Sequence, residues 1–288
     1  QYNRAILPDR ISVKRSAKPA VQPYDGLTPD VILDAVEGAA GERCDGRMLA
    51  LNSYENRVYQ VWLEAGSQIV AKFYRPGRWS DAAIREEHAF TGELQEREIP
   101  VVAPTAGARG ATLHQHGGFR FALYPKRPGR APELDDPDTL RWIGRFVGRI
   151  HAVGATARFR SRPALDADTF GEEPLQYLLK SGFIPDDIEP AWRTTALDAL
   201  QRVRECYRRA GPVRSIRLHG DCHPGNILWT GSGPHFVDFD DCRSGPAVQD
   251  LWMLLAGDRA AMTAQIADVL RGYREFCGFD LRELALIE

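Results

Sequence analysis

The chain has 288 residues, 43% of them hydrophobic and 26% charged, with a formal net charge of −2 at pH 7. That length exceeds one small core and fits two lobes, and the near-neutral charge gives no global pull toward nucleic acid or an anionic membrane. No apolar run is long enough to span a bilayer and no apolar signal segment opens the chain, so a cytoplasmic protein with no membrane or nucleic-acid partner is expected. The missing initial Met points to a trimmed start. Cys44, Cys206, Cys222, Cys242 and Cys277 are odd in number and scattered, which argues against a disulfide framework. A zinc site drawn from Cys222, His223, His235 and Cys242 has no structural-zinc spacing.

Residues 1–25 are polar and aperiodic and read as a flexible arm. Regular structure is predicted to begin at Thr28-Pro29-Asp30. Thr28 suits an N-cap, Pro29 the first helical position and Asp30 the positive helix end. Val31, Ile32, Ala35 and Val36 supply the apolar face of that helix. Strands are predicted over 56–63 and 69–74, joined by a turn at Ala65-Gly66-Ser67. A helix follows over about 80–96, with Ile84, Phe90 and Leu94 facing inward. Two short strands flank Gly117-Gly118, the second over 119–124. Residues 125–137 are rich in Pro and Gly and read as a connector, so a small lobe over 26–124 precedes a larger lobe over 125–288.

The second half is mainly helical. Leu140, Ile143, Val147 and Ile150 share one face of a helix starting near Pro137; Trp192, Ala196, Leu200, Val203 and Tyr207 share a face of a later one. Residues 216–218 form a short strand, 226–229 and 235–239 a hairpin, and helices are predicted near 247–255 and 259–276. The fold expected is α+β and protein-kinase-like, with a β-rich small lobe carrying one helix and a larger α-rich lobe.

Four segments carry chemistry. In Leu218-His219-Gly220-Asp221-Cys222-His223-Pro224-Gly225-Asn226 an Asp precedes an Asn by five residues and follows a His by two, the spacing of a kinase catalytic loop. One carboxylate must take or orient the proton of an attacking hydroxyl, and a neutral oxygen close by must hold a magnesium ion. In Phe236-Val237-Asp238-Phe239-Asp240-Asp241 a strand ending at Asp238 sets a second oxygen ligand beside Asn226, for a hard cation that also grips ATP phosphates. Asp240 and Asp241 add acidity, as tuning groups, ligands of a second ion or solvated carboxylates. Lys72, in Ile69-Val70-Ala71-Lys72, lies mid-strand among apolar residues and needs an anionic partner. ATP phosphates and a helix carboxylate fill that need; Glu87 is preferred, with Glu86 kept open. In the apolar run 245–252, Asp250 is expected to accept hydrogen bonds from the catalytic-loop backbone near His219. Leu123 and Tyr124 are expected to line the adenine slot, His223 to bond within its loop, His151 to contact a local carbonyl, and Arg158, Arg160 and Arg162 to form a solvated basic surface.

These motifs resemble the aminoglycoside phosphotransferase and choline kinase group, whose catalytic loop reads His-Gly-Asp with Asn five residues on. More narrowly, 51–59, 72–76, 219–229 and 245–255 resemble bacterial stress response kinase A, a family of cytoplasmic serine/threonine protein kinases, over roughly residues 28–288. The resemblance implies Asp221 as catalytic base, Asn226 and Asp238 as magnesium ligands with Asp238 also counted in the active site, Lys72 on the ATP phosphates, and Ser53 in the nucleotide-contacting turn. It implies ATP and Mg2+ as cofactors and protein Ser/Thr hydroxyls as acceptors, with autophosphorylation and a monomeric state as further expectations. The turn 52–56 has no glycine, unlike a kinase glycine-rich loop, and the family continues with helices beyond residue 288, so the large lobe is expected to be truncated. Two rival readings stay open: a small-molecule phosphotransferase acting on an amino alcohol or antibiotic, and a non-catalytic nucleotide-binding scaffold. An acidic pocket in the helical lobe would favour a cationic small substrate; an open, shallow cleft would favour protein.

Overall fold

The computed structural model describes residues 23–287, so the expected arm lies outside the described residues except for its last three positions. Those three correct its boundary. Tyr24 stacks on Phe119 with centroids 6.4 Å apart, and its hydroxyl donates to the Glu55 carbonyl at 2.9 Å.

The small lobe is a five-stranded antiparallel sheet with strand order β1-β2-β3-β5-β4, built from β1 (Cys44–Leu51), β2 (Arg57–Leu63), β3 (Gln68–Phe73), β4 (His114–His116) and β5 (Phe119–Pro125). It carries two helices, both at the positions the sequence pattern predicted, although the expected fold has one helix in this lobe. α1 (Pro29–Ala40) starts at the Thr28 cap and packs Ile32, Ala35 and Val36 onto one sheet face with Val61, Ala71, Phe73, Phe121 and Leu123. α2 (Asp81–Glu96) starts at Ser80, whose side chain accepts the Ala83 N–H. Side chains alternate along a strand. Ala71 and Phe73 therefore face α1, which turns Val70 and Lys72 to the opposite face.

The chain then passes to the large lobe: α3 (Pro137–Gly154), α4 (Glu173–Ser181), α5 (Glu189–Ala210), β6 (Ile216–Leu218), β7 (Ile227–Thr230), β8 (Gly233–Phe236), β9 (Arg243–Gly245), α6 (Gln249–Trp252) and α7 (Arg259–Tyr273). β6 pairs with β9 and β7 with β8, both antiparallel. The core of this lobe joins Ile143, Val147 and Ile150 of α3 to Val269 and Tyr273 of α7, and it takes in Phe90 and Leu94 from α2. Each such side chain contributes about 1.5–3 kcal/mol on burial, so α2 is held by both lobes. α3 and α7 cross at backbone contact: a Cβ on Gly144 would lie 2.1 Å from the Val269 carbonyl oxygen, and one on Gly148 2.5 Å from that of Tyr273. Among the described residues no helix is long and apolar enough to cross a membrane.

Candidate active site

β6 delivers the chain into the segment His219–Asn226, and Asp250 just inside α6 fixes it. The buried Asp250 carboxylate accepts the His219 N–H at 2.7 Å and the Gly220 N–H at 2.8 Å, as the sequence suggested, and also meets His151 Nε2 at 2.9 Å. Burial alone would raise the Asp250 pKa, but the His151 and backbone bonds outweigh it and hold the carboxyl below the ordinary value. His151 does not make the local carbonyl contact expected of it. It is fully buried, and its Nδ1 meets the Tyr273 hydroxyl at 2.9 Å, reached through the close α3–α7 crossing. Gly220 has φ +88, and a Cβ there would lie 2.1 Å from the Asp241 carbonyl oxygen, so only glycine fits between His219 and Asp221.

Beyond Gly220, Asp221 and Asn226 are set side by side. The Asn226 amide Nδ2 donates to the Asp221 carbonyl at 2.9 Å and to its carboxylate at 3.2 Å. His223 closes the turn by accepting the Gly225 N–H at 3.0 Å. The Val237 N–H donates to the Asn226 carbonyl at 3.0 Å, which ties the segment after β8 to the loop. Asp238 follows, not on a strand but with left-handed backbone (φ 59, ψ 65), a conformation Asp tolerates better than most residues.

Lys72 is 5% exposed and its amine meets three carboxylates: Asp238 at 2.9 Å, Glu87 at 3.3 Å and Asp240 at 3.3 Å. Burial works against the charged amine, but Asp238, Asp240 and Glu87 outweigh it and hold its pKa well above the ordinary lysine value. Glu87, not Glu86, is the helix partner. Glu86 instead accepts backbone N–H groups of Arg160 at 2.7 Å, Ser161 at 2.8 Å and Arg162 at 3.2 Å.

One expectation about charge fails in part: Arg158 and Arg160 are exposed, but Arg162 departs from them. Arg162 is not on a solvated surface; it is buried and donates to Glu87 Oε2 at 3.0 Å. Of the readings left open for Asp240 and Asp241, pairing with cations is the one the geometry shows. Asp240 is buried between Lys72 and Arg78 (3.0 Å), and Asp241 pairs with Arg78 at 2.9 Å and with Arg243 at 2.5 Å. Lys72 and Arg78 lie within ion-pair distance of Asp240 without hydrogen-bond geometry, so the carboxylate is held by charge.

A cleft of about 350 Å³ lies against these groups. Its lining includes Lys72, Asn226 and Asp238, Ser53 on the β1–β2 turn, and the apolar or aromatic side chains of Val58, Val70, Val102 and Tyr124. Leu123 is not among them. By strand alternation its side chain packs into the core under α1, and its carbonyl already accepts the Thr105 N–H at 2.8 Å. Tyr124 is aimed at the charged cluster, its hydroxyl 3.1 Å from that of Tyr74 and 3.5 Å from Glu87 Oε1. The glycine-free turn is pinned from beneath: Ser53 Oγ donates to the Asn56 carbonyl at 2.8 Å, and the Arg75 N–H donates to Asn56 Oδ1 at 3.2 Å.

The donor set fits a hard divalent cation. Asp238 offers a carboxylate that is 48% exposed, and Asn226, both of its amide hydrogens directed at Asp221, offers its amide oxygen. Among the described residues no group of three or more His, Cys, Asp or Glu side chains is arranged to hold a metal alone. A cation at Asn226 and Asp238 would therefore share oxygens from a bound phosphate or water.

Sequence comparison matches residues 48–287 to the phosphotransferase enzyme family. Stress response kinase A of Salmonella choleraesuis is 44% identical over 265 residues, which cover 92% of this chain and 79% of that protein. The serine/threonine protein kinase RdoA of Salmonella typhimurium is 43% identical over 265 residues with the same coverage of 92% and 79%. Among solved structures, amicoumacin kinase hAmiN in complex with AMP-PNP and Ca2+ superposes with a TM-score of 0.73 at 22% identity, covering 90% of this chain and 80% of that one. A microcompartment-associated aminopropanol kinase gives 0.66 at 20% identity, covering 89% and 83%. Those two structures share the fold with this chain.

Proposed function

The chain belongs to the phosphotransferase enzyme family and to its stress response kinase A branch, and from that premise we propose that it is an ATP- and magnesium-dependent serine/threonine protein kinase. The observation that carries the reading is the Lys72 amine, buried at the cleft wall within 2.9 Å of Asp238 and 3.3 Å of Glu87. An uncompensated lysine does not survive such burial, and three carboxylates around one amine make a socket that a triphosphate enters by exchanging partners.

In this reading the adenine lies between Val58, Val70, Val102 and Tyr124, and Ser53 and its neighbouring amides face the phosphates. Lys72 binds a phosphate oxygen while Glu87 holds the amine in place. Asn226 and Asp238 hold the cation. A magnesium ion there supplies neutralisation of the charge that crowds between transferred and leaving phosphates. Asp221 accepts the proton of the attacking hydroxyl, and the Asn226 amide, bonded to its carbonyl and to its carboxylate, holds it in place. Catalysis then comes mostly from positioning and charge stabilisation.

The names of the relatives support a protein acceptor and a role in stress response. The large lobe adds a physical argument. A depression of about 1300 Å³ between α4, α5 and residues 246–252 has Trp192, Leu200 and Val203 in its lining, with Arg202, Arg208 and Arg209 against Asp166 and Glu205. A cationic amino alcohol or antibiotic calls for an acidic wall, and this one has more arginines than carboxylates.

The test is incubation with labelled ATP and magnesium, with general protein substrates and separately with small amino alcohols. Transfer to protein, or self-labelling, is expected. It should disappear in Asp221→Ala and in Asp238→Ala while the thermal unfolding midpoint is kept. Full transfer in either variant overturns the assignment, and labelling of small alcohols alone moves the acceptor class.

A further inference from the structure

Glu87 carries two cations. Lys72 sits on Oε1 at 3.3 Å and Arg162 on Oε2 at 3.0 Å. Arg162 comes from the large lobe, on a strap between α3 and α4, and its guanidinium is fully buried. Besides Glu87 it donates through Nε to the Ala83 carbonyl of α2 at 2.9 Å and through a terminal nitrogen to the Asp240 carbonyl, and it lies 4.4 Å over the Trp79 ring. One side chain thus ties the first turns of α2 to the turn just after Asp238.

The strap is itself held on both sides. Glu86 accepts its three consecutive N–H groups at residues 160–162, and Phe159 meets Phe90 of α2 edge-on at 5.5 Å. On the other side the Leu165 N–H donates to the Ser244 carbonyl at 2.7 Å and the Ser244 N–H to the Pro163 carbonyl at 3.2 Å. Adjacent glutamates on α2 therefore do different work: Glu86 anchors the strap backbone, and Glu87 takes the side chain the strap delivers.

We propose that Arg162 is a positioning residue for phosphoryl transfer: it pins the second oxygen of Glu87, so that Glu87 keeps the Lys72 amine in place when that amine turns to phosphate. The inference rests on the kinase reading above and adds to it a residue outside the nucleotide cleft. A carboxylate bonded only to Lys72 would follow the amine as phosphate draws it. Anchored at its other oxygen by a planar guanidinium that also grips two carbonyls, it stays. Lysine at 162 cannot reproduce this, because an ammonium has no rigid fork to bridge three acceptors on two elements.

The experiment is a double-mutant cycle on kcat and KM for ATP in the full chain, with unfolding midpoints recorded alongside. Losing a buried hydrogen bond to a charged group, Arg162→Ala is expected to lower kcat/KM for ATP by about 10- to 100-fold. In a Glu87→Ala background the same change should cost less than about threefold more, because its target is gone. Arg162→Lys should stay well below wild type. Glu86→Ala keeps the guanidinium and frees the strap, so it guards against a misfolded Arg162 variant; it should lower kcat/KM in the same direction with a smaller loss. Losses that multiply in the double variant, or wild-type kcat/KM in Arg162→Ala or Glu86→Ala, overturn the role given to Arg162. An inactive wild type, by contrast, overturns the kinase reading itself.

Discussion

Replacing Asp250 with Asn keeps the shape of the side chain and removes half of its accepting capacity. In the folded chain three donors converge on this carboxylate: the N–H groups of His219 and Gly220 and the Nε2 of His151. An amide has one oxygen. Whichever way it turns, its NH2 group faces a backbone N–H, and one donor of the catalytic loop is left buried and unpaired. An orphaned donor together with a lost charge-assisted bond costs about 3 kcal/mol. For a chain of this size that lowers the unfolding midpoint by about 6–12 °C. The sign of its pH dependence follows from the depressed pKa. The carboxylate's contribution is complete above the ordinary value of 3.8 and is lost as pH falls through the lower folded value. The gap between wild type and Asp250→Asn should therefore be constant from about pH 7 to 5 and narrow below about pH 4. Thermal unfolding across that range, with kcat at neutral pH, is the assay. Asp221 follows the two N–H groups directly, so kcat should fall with the midpoint. Wild-type midpoint and kcat in the variant would refute the claim that Asp250 sets the loop.

Other substitutions probe the cleft and the lobe that bears it. Lys72→Met leaves Glu87, Asp238 and Asp240 without their shared cation and should lower ATP-dependent transfer by roughly 100- to 1,000-fold in steady-state kinetics. Gly220→Ala drives a Cβ against the Asp241 carbonyl at a positive φ, and should cost about 2–5 kcal/mol in denaturant unfolding as well as activity. His88, bonded to the Tyr74 hydroxyl at 2.8 Å and to Thr112 at 2.9 Å, is lowered from 6.5 to about 3 by burial and then by the nearby charge of Lys72 and Arg162, with His114 and Arg85 adding to it. The folded chain therefore binds fewer protons than the unfolded one between those values. Stability should fall as pH drops below about 6.5, by up to about 1.4 kcal/mol per pH unit. His88→Gln should flatten that slope in unfolding measured from pH 7 to 4, and an unchanged slope would remove His88 from the account.

Short-range patterns carried most of what the sequence disclosed. Thr28 announced its helix because a cap is a local bond, and the spacing from Asp221 to Asn226 is a property of one loop. Asp250 was legible as a carboxylate stranded in an apolar run. What escaped depended on distant partners. β1 went unread because it is largely exposed and shows no alternation of burial. Leu123 was assigned to the cleft because the parity of a strand is invisible until its neighbours are in place, and one residue decides the face. The phase of α2 could not separate Glu86 from Glu87, and the structure employs both. Arg162 read as part of a solvated cluster with Arg158 and Arg160, since nothing nearby in sequence signals that its acceptors lie on α2 and beyond Asp238. His151 looked like a helix-end residue for the same reason; its partners are 99 and 122 positions away.

That last separation bears on synthesis. The small lobe joins strands that follow one another closely, so its sheet can assemble soon after residue 125 has left the ribosome. The large lobe cannot. α3 waits for α7 to supply the backbone that nests against Gly144 and Gly148, and until it arrives His151 lacks Tyr273 and holds Asp250 with one hand. The machinery around Asp221 thus sets only once α7 has emerged, after a long interval in which the apolar face of α3 stands open, and that interval is when a nascent chain of this kind most needs a chaperone.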